Sequence, residues 1–301
     1  MCCCCPGAIS ALFCLWCQSG CSKGTVAGAL TFFPPEPPLY QFERRDKKGR
    51  VLGENEDAKD DDDEDKNGET AAGSDDGSVG EIGGRSKSGE VVTQTKGQTQ
   101  HKMKSPIEQL TEQAAERRRR AKERNIRDAK DAAHGVTYKL LLDPRLQVPP
   151  HDDGAIEAVK IPSKRGVYVA AVVYRVPAVR RHDRTKTIIY SHGNATDVGA
   201  MFPMQVVLAH SLDCNVVIYD YSGYGESGGV PDENNTYRDI TAVFDYVLEK
   251  VADGKPQNVI LYGQSVGSGP CCYFAAKNPD VGGMILHSPF TSGMRVLTPS
   301  R

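Results

Sequence analysis

The chain has 301 residues, and its 37 lysines and arginines against 39 aspartates and glutamates give a net charge of −2. This balance says little about partners, because an acidic block and a basic block cancel each other. The length allows one or two domains, but the uneven composition excludes a single core built from the whole chain.

Cysteines are concentrated at the N-terminus, where seven of the ten lie in the first 21 residues: Cys2, Cys3, Cys4, Cys5, Cys14, Cys17 and Cys21. Adjacent cysteines do not pair easily with each other, and no charged segment or cleavage site marks a secretory signal. Zinc is a weaker alternative, because Cys14, Cys17 and Cys21 have ligand-like spacing but no nearby Cys/His pair to complete four ligands. The apolar surroundings favour S-acylation of these thiols.

The apolar run AISALFCLWC has ten residues, fewer than the roughly 20 that cross a bilayer. Acyl chains would add about 0.8 kcal/mol per buried CH2, and two or more chains give stable attachment. Residues 1–40 are therefore predicted to anchor the protein on the cytosolic face of a membrane, plasma or endosomal. A signal anchor and a cysteine-rich tip without fixed structure remain alternatives.

Two charged segments follow. Residues 41–105 are predicted to be a disordered acidic linker, since ten acidic residues lie between Glu54 and Glu69. Residues 106–133 are rich in helix formers and are predicted to be a basic helix, with eight basic residues between Arg117 and Lys130. Anionic lipid, RNA, the acidic linker and plain solvent are its candidate surroundings. No aromatic residue interleaves the arginines, so no nucleic-acid partner is expected.

Residues 134–301 have the pattern of a packed α/β domain. Seven stretches predict strands: VTYKLLL, AIEAVKI, VYVAAVVYRV, TIIYSHG, NVVIYDY, NVILYGQS and GGMILHS. Helices are predicted at about 197–212, 234–251 and 266–277. The alternation indicates a mostly parallel sheet with helices on both faces, in which ligands bind beyond the carboxyl ends of the strands.

The pattern G-x-S-x-G occurs twice, around Ser227 and around Ser265. A nucleophile elbow needs a buried strand before the serine and a helix directly after it. NVILYGQSVGSGPCCYFAA supplies both around Ser265, and Gly263 and Gly267 allow the close backbone approach of the turn. Ser227 lies in the glycine-rich loop GYGESGGVP and is predicted to serve only loop packing.

Acyl transfer at Ser265 also needs donors for an oxyanion. The backbone N–H of Val266 is one predicted donor, and the main chain of Asn194, in the loop YSHGNATD, is the other. His192 stands one residue before Gly193 and is predicted to fix this loop rather than to act as the base, which comes later in the chain order of such folds.

The cysteine-rich start together with LTFFPPEPPLY, YSHGNATDVG, YDYSGYGESGG, LYGQSVGSGP and LHSPFTSGMRV resembles the α/β-hydrolase domain-containing 17 family, over about residues 1–40 and 136–296. The resemblance implies an α/β-hydrolase fold and a membrane-anchored serine thioesterase that removes palmitate from S-acylated membrane proteins. No cofactor and no metal are expected. The charged insertion from about Arg44 to Ala133 departs from the family pattern.

A reactive serine needs a histidine and a carboxylate, which follow the serine in this fold. Only Asp280 and His287 come after Ser265, and a strand of about 3.3 Å per residue puts them some 20 Å apart. The triad aspartate and histidine are therefore predicted to be missing, together with the last strands, as in a fragment, an alternative transcript or a faulty gene model. Low esterase activity, poor solubility and an uncovered apolar edge strand are expected of the 301-residue chain.

Three functions remain open from the sequence. The first is a palmitoyl-protein thioesterase that forms an acyl-enzyme on Ser265. The second is a serine peptidase or lipid esterase of the same fold, because the elbow fixes the reaction type and not the leaving group. The third is a catalytically silent membrane-bound binding protein.

Overall fold

A computed structural model of the chain describes residues 32–54, 56–57 and 106–290. The predicted anchor cysteines and most of the predicted linker lie outside these residues. Of the described residues, 106–114 belong to a separate compact unit and are described only as the start of a helix.

One sheet of eight strands organises the described residues, in the order β1-β2-β3-β4-β6-β5-β7-β8. The strands are β1 (Tyr40–Arg45), β2 (Thr137–Leu142), β3 (Ile156–Pro162), β4 (Tyr168–Tyr174), β5 (Thr187–Ser191), β6 (Asn215–Tyr219), β7 (Val259–Gln264) and β8 (Gly283–His287). The helices are α1 (Pro106–His134), α2 (Val198–Leu212), α3 (Glu233–Lys250) and α4 (Ser268–Ala275). All seven predicted strands and the four predicted helices are present within a few residues.

The sheet is mixed. β1 to β4 are antiparallel to one another and β4 is antiparallel to β6, whereas β6, β5, β7 and β8 are parallel. The expectation of a mostly parallel sheet therefore holds only for its second half. The connection between β3 and β4 has only five residues, 163–167, so these two strands are antiparallel, since a parallel pairing would need a long crossover there.

Side chains along the buried strands point alternately to the two faces of the sheet, and apolar side chains lie on both faces. On β5, Ile188 and Tyr190 pack against α2, whereas Ile189 faces the core formed with α3 and α4. The same alternation on β6 and β7 places apolar side chains on both sides of the sheet. This packing holds the carboxyl ends of the parallel strands at one edge.

The predicted boundaries at the N-terminal side are wrong in two places. Residues 41–45 are not linker, because β1 pairs with β2 in register from Tyr40↔Leu142 to Arg45↔Thr137. Residues 32–40 are not only anchor, because Phe32 and Tyr40 are buried in the core of the domain. Tyr40 and Phe42 face inward while Gln41 faces solvent, an alternation that the neighbouring charges obscure.

Helix α1 is fixed to the sheet by two buried ion pairs. Lys160 Nζ lies 2.9 Å from Asp128 Oδ2, with both side chains almost fully buried. Arg44 binds Asp131 through both ends of its guanidinium, with Nε 2.8 Å from Oδ2. The second half of α1 is therefore part of the folded domain, whereas its first half carries exposed basic residues.

None of the described helices is long and apolar enough to cross a membrane.

Candidate active site

Ser265 occupies a sharp turn at the carboxyl end of a central strand. β7 ends at Gln264, a short turn of 3-10 helix covers 265–267, and α4 begins at Ser268. Ser265 has φ of 50°, in the left-handed region that an L-residue adopts only at a cost of roughly 1–2 kcal/mol. Its side chain is half-buried. Strained backbone of this kind is concentrated at active sites.

The glycines on either side of Ser265 are required by close approaches. A Cβ on Gly263 would lie 2.7 Å from the carbonyl oxygen of Gly267. A Cβ on Gly267 would lie 2.0 Å from the carbonyl oxygen of Ser191, at the end of β5. Any side chain at either position would force the turn away from β5, and so away from the loop that follows β5.

That loop runs beside the serine. A Cβ placed on Gly193 would be 3.9 Å from Ser265 Cβ, so the β5 loop and the elbow are in contact range. Next to it, the Oδ1 of Asn194 accepts hydrogen bonds from Phe33 N–H at 2.9 Å, Ala195 N–H at 2.9 Å and the Tyr224 hydroxyl at 2.7 Å. These donors fix the Asn194 side chain, and its main chain stays a predicted oxyanion donor.

His192 is fully buried beneath the loop. Its Nδ1 is 2.8 Å from the carbonyl oxygen of Gly193, and its Nε2 is 3.2 Å from Asp220 Oδ1 without the geometry of a hydrogen bond. The ring packs against Tyr221, with centroids 4.5 Å apart, and the Tyr221 hydroxyl donates to the His192 carbonyl at 2.6 Å. These contacts fit a loop-fixing residue, as the sequence predicts.

Two buried carboxylates support the start of α2, directly after the loop. Asp197 caps the helix by accepting from Ala200 N–H at 2.8 Å, and it also accepts from Leu39 N–H at 2.8 Å. Burial, reinforced by the charge of Asp220, raises the pKa of Asp197 above its ordinary value. Asp220 accepts from Val198 N–H at 3.1 Å and from the Tyr40 hydroxyl. The segment before β1 is thus tied to the same loop and helix.

Ser227, in the second G-x-S-x-G, is a packing residue. It is buried, and its Oγ accepts from Ala170 N–H at 2.8 Å and donates to the Asp220 carbonyl at 2.8 Å. With both roles of the hydroxyl filled inside the protein, Ser227 is not available as a nucleophile.

His287 and Asp280 lie at opposite ends of one strand. His287 ends β8 and is in register with Gln264, the residue before Ser265. Its exposed ring has Nδ1 3.3 Å from the Tyr262 hydroxyl. Asp280 precedes the start of β8 at Gly283, so no carboxylate–histidine pair forms from these two residues. Among the described residues, none of the histidines is hydrogen-bonded to Ser265.

Sequence reasoning missed the residues that hold the Asn194 side chain. Phe33 and Tyr224 come from segments 161 and 30 residues away in the chain, and no spacing rule connects them. The motif GYG around Tyr224 predicts a loop, but it does not predict the contact with Asn194. The aromatic contact between Phe32 and Tyr224, with centroids 6.4 Å apart, joins the two segments.

Two of the three cysteines in the described part, Cys214 and Cys271, are buried, and Cys272 is exposed. Burial raises the pKa of the Cys271 thiol, on α4, to about 12. Within residues 32–54, 56–57 and 106–290, the His, Cys, Asp and Glu side chains form no group that could hold a metal ion. The seven predicted acylation sites and the zinc alternative fall outside these residues and stay predictions.

Comparisons with known proteins agree with this architecture. A family model described as alpha/beta hydrolase fold matches residues 186–299. Human alpha/beta hydrolase domain-containing protein 17B is 39% identical over 167 residues, which cover 55% of this chain and 56% of that protein. Alpha/beta hydrolase domain-containing protein aho-3 of Caenorhabditis elegans is 47% identical over 113 residues, covering 38% of this chain and 33% of that protein. The chain spans about half the length of the human relative and a third of the nematode one.

A crystal structure of an alpha-beta hydrolase from Vibrio vulnificus is also similar, with a TM-score of 0.42 and 21% identity over 50% of this chain and 51% of that one.

The sheet order, the turn after β7 and the family match define the fold, which is the α/β-hydrolase fold. Within that fold, the chain is similar to alpha/beta hydrolase domain-containing proteins 17B and 17C, at 39% identity over about half of its length. The predicted resemblance to that family and the predicted fold are confirmed, whereas the roles of individual site residues stay predictions.

Proposed function

We propose that the protein is a serine hydrolase that removes S-acyl groups from membrane-associated proteins through an acyl-enzyme on Ser265. One observation carries the proposal. Ser265 stands at φ of 50° between two glycines that tolerate no side chain, with the Gly193 loop in contact range. A packing serine needs none of these features, and each has a conformational cost.

The chemistry follows from this geometry. Ser265 Oγ attacks the thioester carbonyl carbon, the C–S bond breaks, and the cysteine thiolate leaves with the electron pair and takes up a proton. The main-chain N–H groups of Val266 and Asn194 are suited to bind the negatively charged oxygen of the tetrahedral intermediate. Water then cleaves the ester on Ser265 and releases the fatty acid. A histidine must take the serine proton, and among the described residues none is in position.

The position of residues 32 and 33 supports a membrane substrate. Phe32 is buried and Phe33 N–H donates to the Asn194 side chain, so these two residues lie at the predicted catalytic edge. Cys21 is only 11 residues before Phe32, a span of roughly 40 Å at most. Acyl chains on the N-terminal cysteines would therefore keep Ser265 near the bilayer surface, where S-acylated proteins reside.

Hydrolysis of a palmitoylated cysteine peptide by the native protein isolated from cells tests the proposal. We expect release of palmitate by the wild type and loss of release in Ser265→Ala. Ser227→Ala is the matched control, because it removes the serine of the other G-x-S-x-G, and circular dichroism must show that the variant folds. The proposal fails if Ser265→Ala releases palmitate at the wild-type rate.

A second function is favoured by one specific observation, the lack of a described histidine bonded to Ser265. Without a base, the protein would be a membrane-bound binding protein that no longer reacts. A serine-directed fluorophosphonate distinguishes the two, since an activated Ser265 is labelled and an unactivated one is not.

A further inference from the structure

A cleft of about 270 Å³ lies between α1, the β3–β4 turn and the start of α3. We call it the basic cleft, and five cationic side chains line it: Arg118, Lys122, Lys164, Arg165 and Arg238. Arg118 and Lys122 are one turn apart on α1, so they present their charges on one face of the helix. The first four of the five are exposed to solvent.

These cations differ from the other basic residues of α1. Arg117 pairs with Glu36, Arg119 and Arg120 pair with Glu116, and Lys130 pairs with Asp57. Arg127 contacts Asp128 and Glu226, and Arg124 donates to two backbone carbonyls. By contrast, none of the five cleft cations has an ion-pair partner among the residues that the structure describes. Arg118 and Lys122, which line the cleft, therefore have neither an ion pair nor a hydrogen bond to a described residue, unlike the other arginines and lysines of α1 between Arg117 and Lys130.

The floor of the cleft does not neutralise them. Asp239 lies there fully buried, and its carboxylate accepts from Ser222 N–H at 2.7 Å, Ser222 Oγ at 2.9 Å and Ser163 Oγ at 3.4 Å. Burial raises the pKa of Asp239 to about 7, so near neutral pH it carries only part of a negative charge. Five cations thus face one partly ionised, already occupied carboxylate.

The basic cleft shares an edge of the sheet with Ser265. The β3–β4 turn precedes β4, which runs antiparallel to β6, so the turn lies at the carboxyl ends of the parallel strands. The ion pair of Arg117 with Glu36, at 2.9 Å, brings α1 beside the N-terminal segment. Phe33 of that segment contacts Asn194 of the proposed oxyanion loop.

We propose that the basic cleft binds the phosphate-bearing headgroup of an anionic membrane lipid and so holds the catalytic edge against the bilayer. A phosphodiester carries one negative charge, whereas a phosphomonoester carries about 1.5 to 2 and offers three acceptor oxygens. Five cations around one small cleft match a headgroup with phosphomonoesters, such as that of a phosphoinositide, better than phosphatidylserine. The use of this contact in orienting the enzyme rests on the proposed function, but the binding itself does not.

Flotation with vesicles tests the proposal, with the full chain produced without acylation. The vesicles contain phosphatidylcholine alone, added phosphatidylserine, or added phosphatidylinositol bisphosphate at the same total charge. We expect binding chiefly to the phosphoinositide vesicles. The double variant Arg118→Gln/Lys122→Gln should weaken binding to the phosphoinositide vesicles about 30-fold, because each basic residue near the surface contributes about 1 kcal/mol of binding free energy. The matched control Arg119→Gln/Arg120→Gln removes the same charge from the same helix outside the cleft and should have a much smaller effect.

Four outcomes would overturn the proposal. Equal weakening by both double variants would indicate only general attraction to a negative surface. Equal binding to phosphatidylserine at matched charge would remove the preference for phosphomonoesters. Binding of soluble inositol trisphosphate without binding to vesicles would assign the cleft to a free phosphate compound. Binding that appears only after Asp60–Asp63 are replaced by Asn would show that the chain's own acidic segment occupies the cleft.

A negative result for lipid binding by the basic cleft is distinguishable from a negative result for hydrolysis at Ser265. Cleavage of a water-soluble acyl thioester depends on Ser265 and not on the basic cleft, so it should be unchanged in Arg118→Gln/Lys122→Gln.

Discussion

At the scale of single residues, the elbow shows how context decides between two identical motifs. The strand before Ser265 and the helix after it were visible in the sequence, and the structure has the strained φ of 50° there. Ser227 lies in the same G-x-S-x-G pattern but does not follow a strand. It is buried, and its hydroxyl is hydrogen-bonded to Ala170 and Asp220. The partners of Asn194 could not be predicted, because Phe33 and Tyr224 reach it only through the tertiary fold.

Gly267→Ala should destabilise the protein strongly. The new Cβ would lie 2.0 Å from the Ser191 carbonyl oxygen, and relief requires a backbone shift costing about 3 kcal/mol or more. Gly269→Ala is the matched control two residues along, where a Cβ meets nothing within 4 Å inside α4. It should stabilise by roughly 0.5–1 kcal/mol. Urea unfolding measures both, and similar midpoints would contradict the close approach.

Asp239 should make the protein less stable as pH rises toward neutrality. Burial raises its pKa from 3.8 to about 7, so the folded state holds a proton that the unfolded state releases. The stabilisation is complete below about pH 4 and is lost as pH rises to about 7.

Asp239→Asn should therefore flatten the pH dependence of the free energy of unfolding between pH 4 and 7. Urea titrations across this range measure the slopes. An unchanged slope in the variant would mean that Asp239 is already ionised in the folded protein at low pH.

At the scale of elements, periodicity predicted seven strands and four helices, but not β1. The segment YQFERR places Arg44 on the inward face, which looks wrong for a strand until its partner Asp131 is known. That partner is 87 residues away in a helix, beyond the long charged insertion. The sequence likewise predicts only part of the basic cleft. The predicted helix α1 supplies two of its cations, and two other elements supply the rest.

Asp131→Ala should cost about 3–5 kcal/mol, because it leaves the buried Arg44 guanidinium without its carboxylate. The control is Asp57→Ala, which removes the exposed pair with Lys130 and should change the free energy of unfolding little. Chemical unfolding of both variants gives the comparison. Equal, small losses would show that α1 is not fixed to β1 by this contact.

At the level of the whole molecule, we propose that the N-terminal cysteines hold the proposed catalytic edge at a membrane. Phe32 and Phe33 lie at that edge, and the acylated cysteines that precede them are predicted from the sequence alone. Substrate preference would then depend on the attachment of the protein to the membrane as much as on the shape of the site around Ser265.

Replacing the seven N-terminal cysteines by serine should release the protein from membrane fractions. Cleavage of a palmitoylated membrane protein should then slow by at least about 10-fold. The enzyme and its substrate are no longer held on the same membrane, so the effective concentration of one near the other falls. Cleavage of a water-soluble thioester should stay unchanged. Equal rates on the membrane substrate, with and without the cysteines, would contradict the role of the anchor.

The central claim is that Ser265 carries the acyl group, and trapping the acyl-enzyme tests it most directly. The native protein is quenched in acid during turnover of a palmitoyl thioester, digested, and examined by mass spectrometry. The account predicts a palmitoyl ester on the peptide that contains Ser265, and none on that peptide in Ser265→Ala. Palmitate carried as an ester by another residue, or turnover that continues in Ser265→Ala, would contradict it.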